Sequence, residues 1–167
     1  DSDFNGCFSK KGKLIDDLLT KILKLELIQS TPPKSMDIVD FGKDLLTEIS
    51  DEFPIINEYD LIRTLVQATV ESIHYNIIKF LKLRNEKFEL IFSGGGTEHP
   101  FIKSNFLDKG YNIKMINEYG IDSSIKEALL IAVLGASRIN NLTSNMPSVT
   151  GASSNCLLGD IYAGWIS

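Results

Sequence analysis

The chain is poor in the residues that carry the commonest catalytic and metal chemistries. Its two cysteines, Cys7 and Cys156, lie far apart and outside any metal-ligand spacing. That fits a reducing, cytoplasmic compartment better than a disulfide scaffold. Histidine is as scarce, and with only His74 and His99 no Ser–His–Asp or Cys–His arrangement can be argued. Positive charge is not in excess: the formal net charge of −5 argues against a nucleic-acid surface, where a basic stripe is expected. No apolar run is long enough to span a bilayer. No internal repeat, low-complexity segment or targeting signature is apparent. Asn141-Leu142-Thr143 matches a glycosylation acceptor, but without a signal peptide it reads as chance. The first residue is Asp1 rather than Met, so the chain reads as starting part-way through a longer protein.

What is present is a globular composition, 43% hydrophobic and 23% charged, in 167 residues. That length fits one domain or one lobe of a larger protein. Leu14, Ile15, Leu18, Leu19, Ile22, Leu23 and Leu25 recur at helical spacing, which predicts a helix over about residues 12–28. Pro32 and Pro33 follow it. A shorter helix is expected from Phe41 to Ile49. A long one is expected from Asp60, with Ile62, Val66, Val70, Ile73, Ile77 and Leu81 on one face. His74, inside it, reads as a packed or partly exposed helix residue.

The pattern then changes. Phe88–Phe92 and Tyr111–Ile116 are short β-branched or aromatic runs, each followed by turn residues and a helix. The first of these helices is expected over Phe101–Lys109. The second opens at Ser123-Ser124-Ile125-Lys126-Glu127, where Ser124 and Glu127 have capping-box spacing. Alanines along its face suggest close packing against a sheet. A loop over 140–152 leads to a last helix near Asn155–Tyr162. The class is therefore α/β, helix-rich, with two clear strands. Two parallel strands rarely stand alone, so something else should supply the missing ones.

Ser93-Gly94-Gly95-Gly96-Thr97-Glu98-His99-Pro100 joins the first strand to its helix. Three glycines let backbone approach a ligand that any Cβ would push away, and a helix start behind them suits phosphate or ribose oxygens. On these residues alone a nucleotide cradle and a tight strand-to-helix turn both stand. Asp1-Ser2-Asp3-Phe4-Asn5-Gly6 looks like the opening of a calcium loop, but its twelfth position is Gly12 instead of a bidentate Glu, and calcium is rejected. Pro147–Ala152 reads as a turn ordered by its own hydroxyls. Glu127 has two readings: a helix cap, or a carboxylate placed to hold Mg²⁺ near a nucleotide loop.

In this order the segments resemble the C-terminal half of the anhydro-N-acetylmuramic acid kinase family. The resemblance rests on Pro32-Pro33-Lys34-Ser35, Ser93-Gly94-Gly95-Gly96 with Pro100, Asn117-Glu118-Tyr119-Gly120-Ile121, Lys126-Glu127-Ala128, Asn145–Ala152 and Leu158–Tyr162. It implies that residues 1–167 form the nucleotide-binding lobe of a two-lobed sugar kinase of the actin/Hsp70/hexokinase (ribonuclease H-like) fold. Such an enzyme opens a 1,6-anhydro sugar with water and phosphorylates the 6-oxygen, using ATP and Mg²⁺. The sugar would be anhydro-N-acetylmuramic acid or, in a related branch, levoglucosan. By the same resemblance Gly94, Gly95 and Gly96 pass beneath the adenosine with Thr97 and His99 beside them, and Glu127 approaches the metal or sugar. A homodimer is implied as well. The family usually has Asn where His99 stands, and Thr-Gly-Arg-Glu where Met36-Asp37-Ile38-Val39 stands. Its phosphate loop and aspartate base belong to an N-terminal half absent from these residues, so no catalytic base is expected here and the chain alone should be inactive. The alternative is a non-catalytic nucleotide-binding or protein-interaction module derived from the same fold.

Overall fold

A computed structural model describes residues 3–35, 41–81 and 88–162. Its backbone is the helix α4, Glu58–Phe80, which carries apolar side chains on two faces and so serves two cores. Asn57 caps its start by accepting the Tyr59 amide at 2.8 Å, which is why the helix begins before the expected Asp60.

On one face of α4 lie α1 (Asp16–Leu23), α2 (Glu26–Gln29) and α3 (Lys43–Glu52). Leu18, Ile22, Ile28, Leu45, Ile49 and Ala68 form their shared core. The single helix expected over residues 12–28 is thus two helices with a later start. The reason is tertiary. Residues 12–15 run along α4, where Asp60 accepts the Lys13 amide at 2.6 Å and the Thr64 hydroxyl accepts the Ile15 amide at 3.1 Å. A Cβ on Gly12 would lie 2.0 Å from the Tyr59 carbonyl oxygen, so only glycine allows this approach. The break at Leu25 is held by side chains that satisfy helix-end carbonyls. Gln29 Nε2 donates to Leu23 O at 2.7 Å, and Lys34 Nζ donates to the carbonyls of Leu27, Ile28 and Ser30.

On the other face sits a strand–helix–strand unit: β1 (Glu89–Phe92), α5 (Pro100–Asp108) and β2 (Asn112–Met115). The strands pair in parallel, with Leu90 opposite Ile113 and Phe92 opposite Met115. Strand alternation turns Leu90 and Phe92 toward Val70, Ile77, Phe106 and Tyr111, the second core. Buried Tyr111 shares a hydrogen bond of 2.6 Å with His74 Nδ1, which accounts for the lone histidine within α4. Lys109 Nζ pairs with Glu71 at 2.9 Å and fastens the end of α5 to α4.

The last third departs most from expectation. Helix α6 (Lys126–Ile139) forms, but it buries no residue and does not pack closely on the sheet. Leu130, Ile131 and Val133 are each more than half exposed, and Ala128, Ala132 and Ala136 are exposed too. Nor is the Ser124–Glu127 box formed: the cap position is Ile125, while the Ser124 amide and hydroxyl both turn to Asp122 Oδ1. A short helix, α7 (Pro147–Thr150), occurs inside the expected loop. No helix forms over 155–162; Gly159 there is left-handed, and its carbonyl accepts from Arg138 Nε at 2.8 Å. Met36–Val39, one of the departures from the family pattern, lies outside the described residues.

Candidate functional site

The loop after β1 is built so that backbone, not side chains, faces open space. Gly94 has φ +93° and ψ 165°, a conformation essentially reserved for glycine. Gly95–Glu98 then form one 3-10 turn within the expected connection between the strand and α5. The Thr97 amide and hydroxyl both donate to Gly94 O, at 3.1 and 2.6 Å, and the His99 amide donates to Gly96 O at 3.2 Å. Pro100 occupies the first position of α5, where its missing N–H costs nothing. A Cβ placed on Gly94, Gly95 or Gly96 would meet no atom within 4 Å. Packing against the described residues therefore does not require glycine at these three positions; Gly94 is demanded instead by its backbone conformation. Beside them the Ser93 hydroxyl is buried with no hydrogen-bond partner among the described residues.

His99 behaves differently from the glycines. Its Nε2 lies 2.9 Å from Asp3 Oδ2 and 3.4 Å from Ser9 Oγ, and its side chain is only 10% exposed. Asp3 in turn accepts the Phe8 amide at 2.7 Å and the Ser9 amide at 3.3 Å. Burial raises the Asp3 carboxyl, but the bonds from His99, Ser9 and the two amides outweigh that and hold it well below the usual carboxylate range. The turn that resembled a calcium loop thus spends its carboxylate on the exit of the glycine loop. Nothing local in the sequence signals this, because the partners are 96 and 90 residues from His99. Next to His99, the Arg63 guanidinium lies 4.1 Å over the Phe101 ring and braces the first turn of α5 from α4.

Glu127 stands in the first turn of α6, exposed, and with no hydrogen-bond or ion-pair partner among the described residues. With the capping box gone, its carboxylate serves no visible structural purpose. Among the described residues no three His, Cys, Asp or Glu are grouped to hold a metal. Glu118 and Tyr119 are otherwise engaged: Glu118 accepts the Met115 amide at 2.8 Å, and Tyr119 donates to Glu89 at 2.9 Å. The Pro147–Ala152 segment is ordered by its own hydroxyl, as its composition predicts. Thr150 Oγ1 donates to Met146 O at 3.1 Å and accepts the Ala152 amide at 3.4 Å. Gly151, left-handed at φ +74°, comes within 3.4 Å of Pro33 when a Cβ is placed on it. Two segments distant in sequence, Pro32–Ser35 and Pro147–Ala152, are thereby brought together.

A sequence model described as anhydro-N-acetylmuramic acid kinase matches residues 1–164. The chain belongs to the anhydro-N-acetylmuramic acid kinase family. Curated relatives bearing that name agree. The one from Clostridioides difficile (strain 630) is 32% identical over 163 residues, which is 95% of this chain and 42% of that protein. Those from Actinobacillus pleuropneumoniae serotype 7 and Mannheimia succiniciproducens are 34% and 35% identical, covering 96% of this chain and 43% and 44% of their own lengths. The chain spans less than half the length of these relatives. None of its described helices is long and apolar enough to cross a membrane, and Cys7 and Cys156 are free and exposed.

Proposed function

We propose that these residues are the C-terminal, adenosine-binding half of an ATP-dependent 1,6-anhydro-sugar kinase, and that anhydro-N-acetylmuramic acid is its sugar. The observation that carries the reading is that no described residue crowds Gly94–Gly96, in a chain that matches the kinase family over residues 1–164. The reaction would add water at C1, break the C1–O6 bond of the anhydro bridge, and move the γ-phosphoryl of ATP to O6. The other half of a two-lobed, actin-like protein would supply the phosphate loop and the aspartate base. Gly94, Gly95, Gly96 and Thr97 would lie along the adenosine, with the unpartnered Ser93 hydroxyl close by, and His99 would fix the end of that surface. Mg²⁺ is commonly held through one or two carboxylates, waters and the phosphates themselves, so the lone carboxylate of Glu127 is a sufficient donor from this half. Phosphoryl transfer depends chiefly on positioning and charge neutralisation, to which such groups contribute.

Two features support a second half. A helix that is apolar all round is normally buried, yet α6 is bare. Parallel sheets are normally larger than two strands and covered on both faces, yet Ile91 on β1 is 55% exposed. The remaining half would cover both. The exposed free cysteines fit a reducing cytoplasm. The test is ADP release by the full-length protein. It is expected only when an anhydro sugar is supplied, with anhydro-N-acetylmuramic acid preferred over levoglucosan. Absence of sugar-dependent release with either compound defeats the kinase reading and favours a non-catalytic module.

A further inference from the structure

The glycine loop is closed from within by the Thr97 amide and hydroxyl on Gly94 O and the His99 amide on Gly96 O, and its three glycines add no side-chain contact. Three consecutive residues lack side chains, touch nothing at their Cβ positions, and carry more backbone freedom than any other residue type. One residue joins this loop to the helix behind it. The His99 amide closes the turn onto Gly96, and the His99 carbonyl accepts the amides of Ile102 and Lys103 at 3.1 and 3.2 Å. Fixing His99 therefore anchors the exit of the loop to α5.

What fixes it is a socket made by residues 3–9. Asp3 bonds the ring at 2.9 Å, and fully buried Ser9 lies 3.4 Å from the same nitrogen. Gly6, left-handed at φ +65°, allows a close approach: a Cβ there would be 3.2 Å from Pro100 Cγ and 3.5 Å from His99 Cε1. The Phe8 and Ser9 amides hold the carboxylate in place. We propose that this socket orders the nucleotide loop, and that Asp3 is a positioning residue acting on nucleotide affinity through His99. The inference rests on the nucleotide reading above. A loop released from the socket samples other conformations, and affinity falls by the fraction of molecules still competent to bind.

The experiment is calorimetric titration of ADP into the full-length protein, with thermal melts on the same samples. Asp3→Asn and His99→Ala are each expected to raise the ADP Kd about tenfold, and Asp3→Asn/His99→Ala no further than His99→Ala alone. His99→Gln keeps an amide donor near the Nε2 position and is expected to remain within about threefold of the parent. In turnover, Asp3→Asn should raise the KM for ATP and leave the KM for the sugar unchanged. Lowered melting temperatures with unchanged ADP affinity, or additive effects in the double variant, overturn the socket. A parent protein that binds no ADP overturns the nucleotide reading itself, and the socket with it. If His99→Ala fails to fold, the contrast between Asp3→Asn and His99→Gln still decides.

Discussion

A single side chain at Gly95 would project into the space assigned to the nucleotide without touching the protein. Gly95 lies outside the left-handed region and its Cβ position is open, so Gly95→Val demands little of the fold. It is expected to weaken ADP binding in the full-length protein about tenfold or more, with the melting temperature nearly unchanged. Unchanged affinity in that variant would return the loop to a plain turn. Glu127 offers a complementary test because the structure removes its competing role as a cap. Glu127→Gln should lower turnover with no fall in melting temperature, whereas a lost cap would have cost about 1 kcal/mol. A variant that melts early but turns over normally would contradict the metal assignment. Asp3 has a pH signature. Its carboxyl is depressed in the folded state, so the stabilisation is present above the unfolded pKa of about 4 and is lost as the pH falls below it. Melting temperatures followed from neutral to acid pH should therefore fall less steeply for Asp3→Asn than for the parent. Equal slopes would mean that the carboxylate is not held as the geometry shows.

At the scale of elements, α4 explains why the two cores are one molecule. Ala68 joins the helical core, and Val70 and Ile77 join the sheet core, from the same helix. Helix α6 is the opposite case, a well-formed helix that buries none of its residues among the described ones. Its apolar residues predict that backbone amides of 126–139 exchange quickly with solvent in the isolated chain and become protected in the full-length protein. Hydrogen exchange by mass spectrometry measures this directly, and equal rates in both would show that the other half does not cover it. The existence of α6 was legible in the sequence, and so were the two strands and α5. The expected packing of its alanines on the sheet was not obtained. A repeating apolar face states that a partner exists and is silent on which element provides it. The boundaries of α1 and α4 were set by Gly12, Thr64 and Asn57, whose effects depend on neighbours far along the chain or on one local cap.

For the whole molecule, the governing fact is that a chain matching the family from 1 to 164 covers only 42–44% of three relatives. On the two-lobed reading proposed above, kinase activity would need both halves. The isolated 167 residues are expected to show no sugar-dependent ADP release even at high protein concentration. Measurable turnover by this chain alone would show that a catalytic base lies within it and would require reassigning the site.

By itself the sequence determined the family, the α/β class, the two strands and the glycine loop, because each is written in contiguous residues whose local chemistry suffices. Only the tertiary structure decided that no described residue crowds the loop glycines, that His99 is turned to Asp3 and Ser9, and that Glu127 is no cap. It also decided which apolar helix is left bare. These depend on contacts between residues distant in the chain, which a local pattern does not encode.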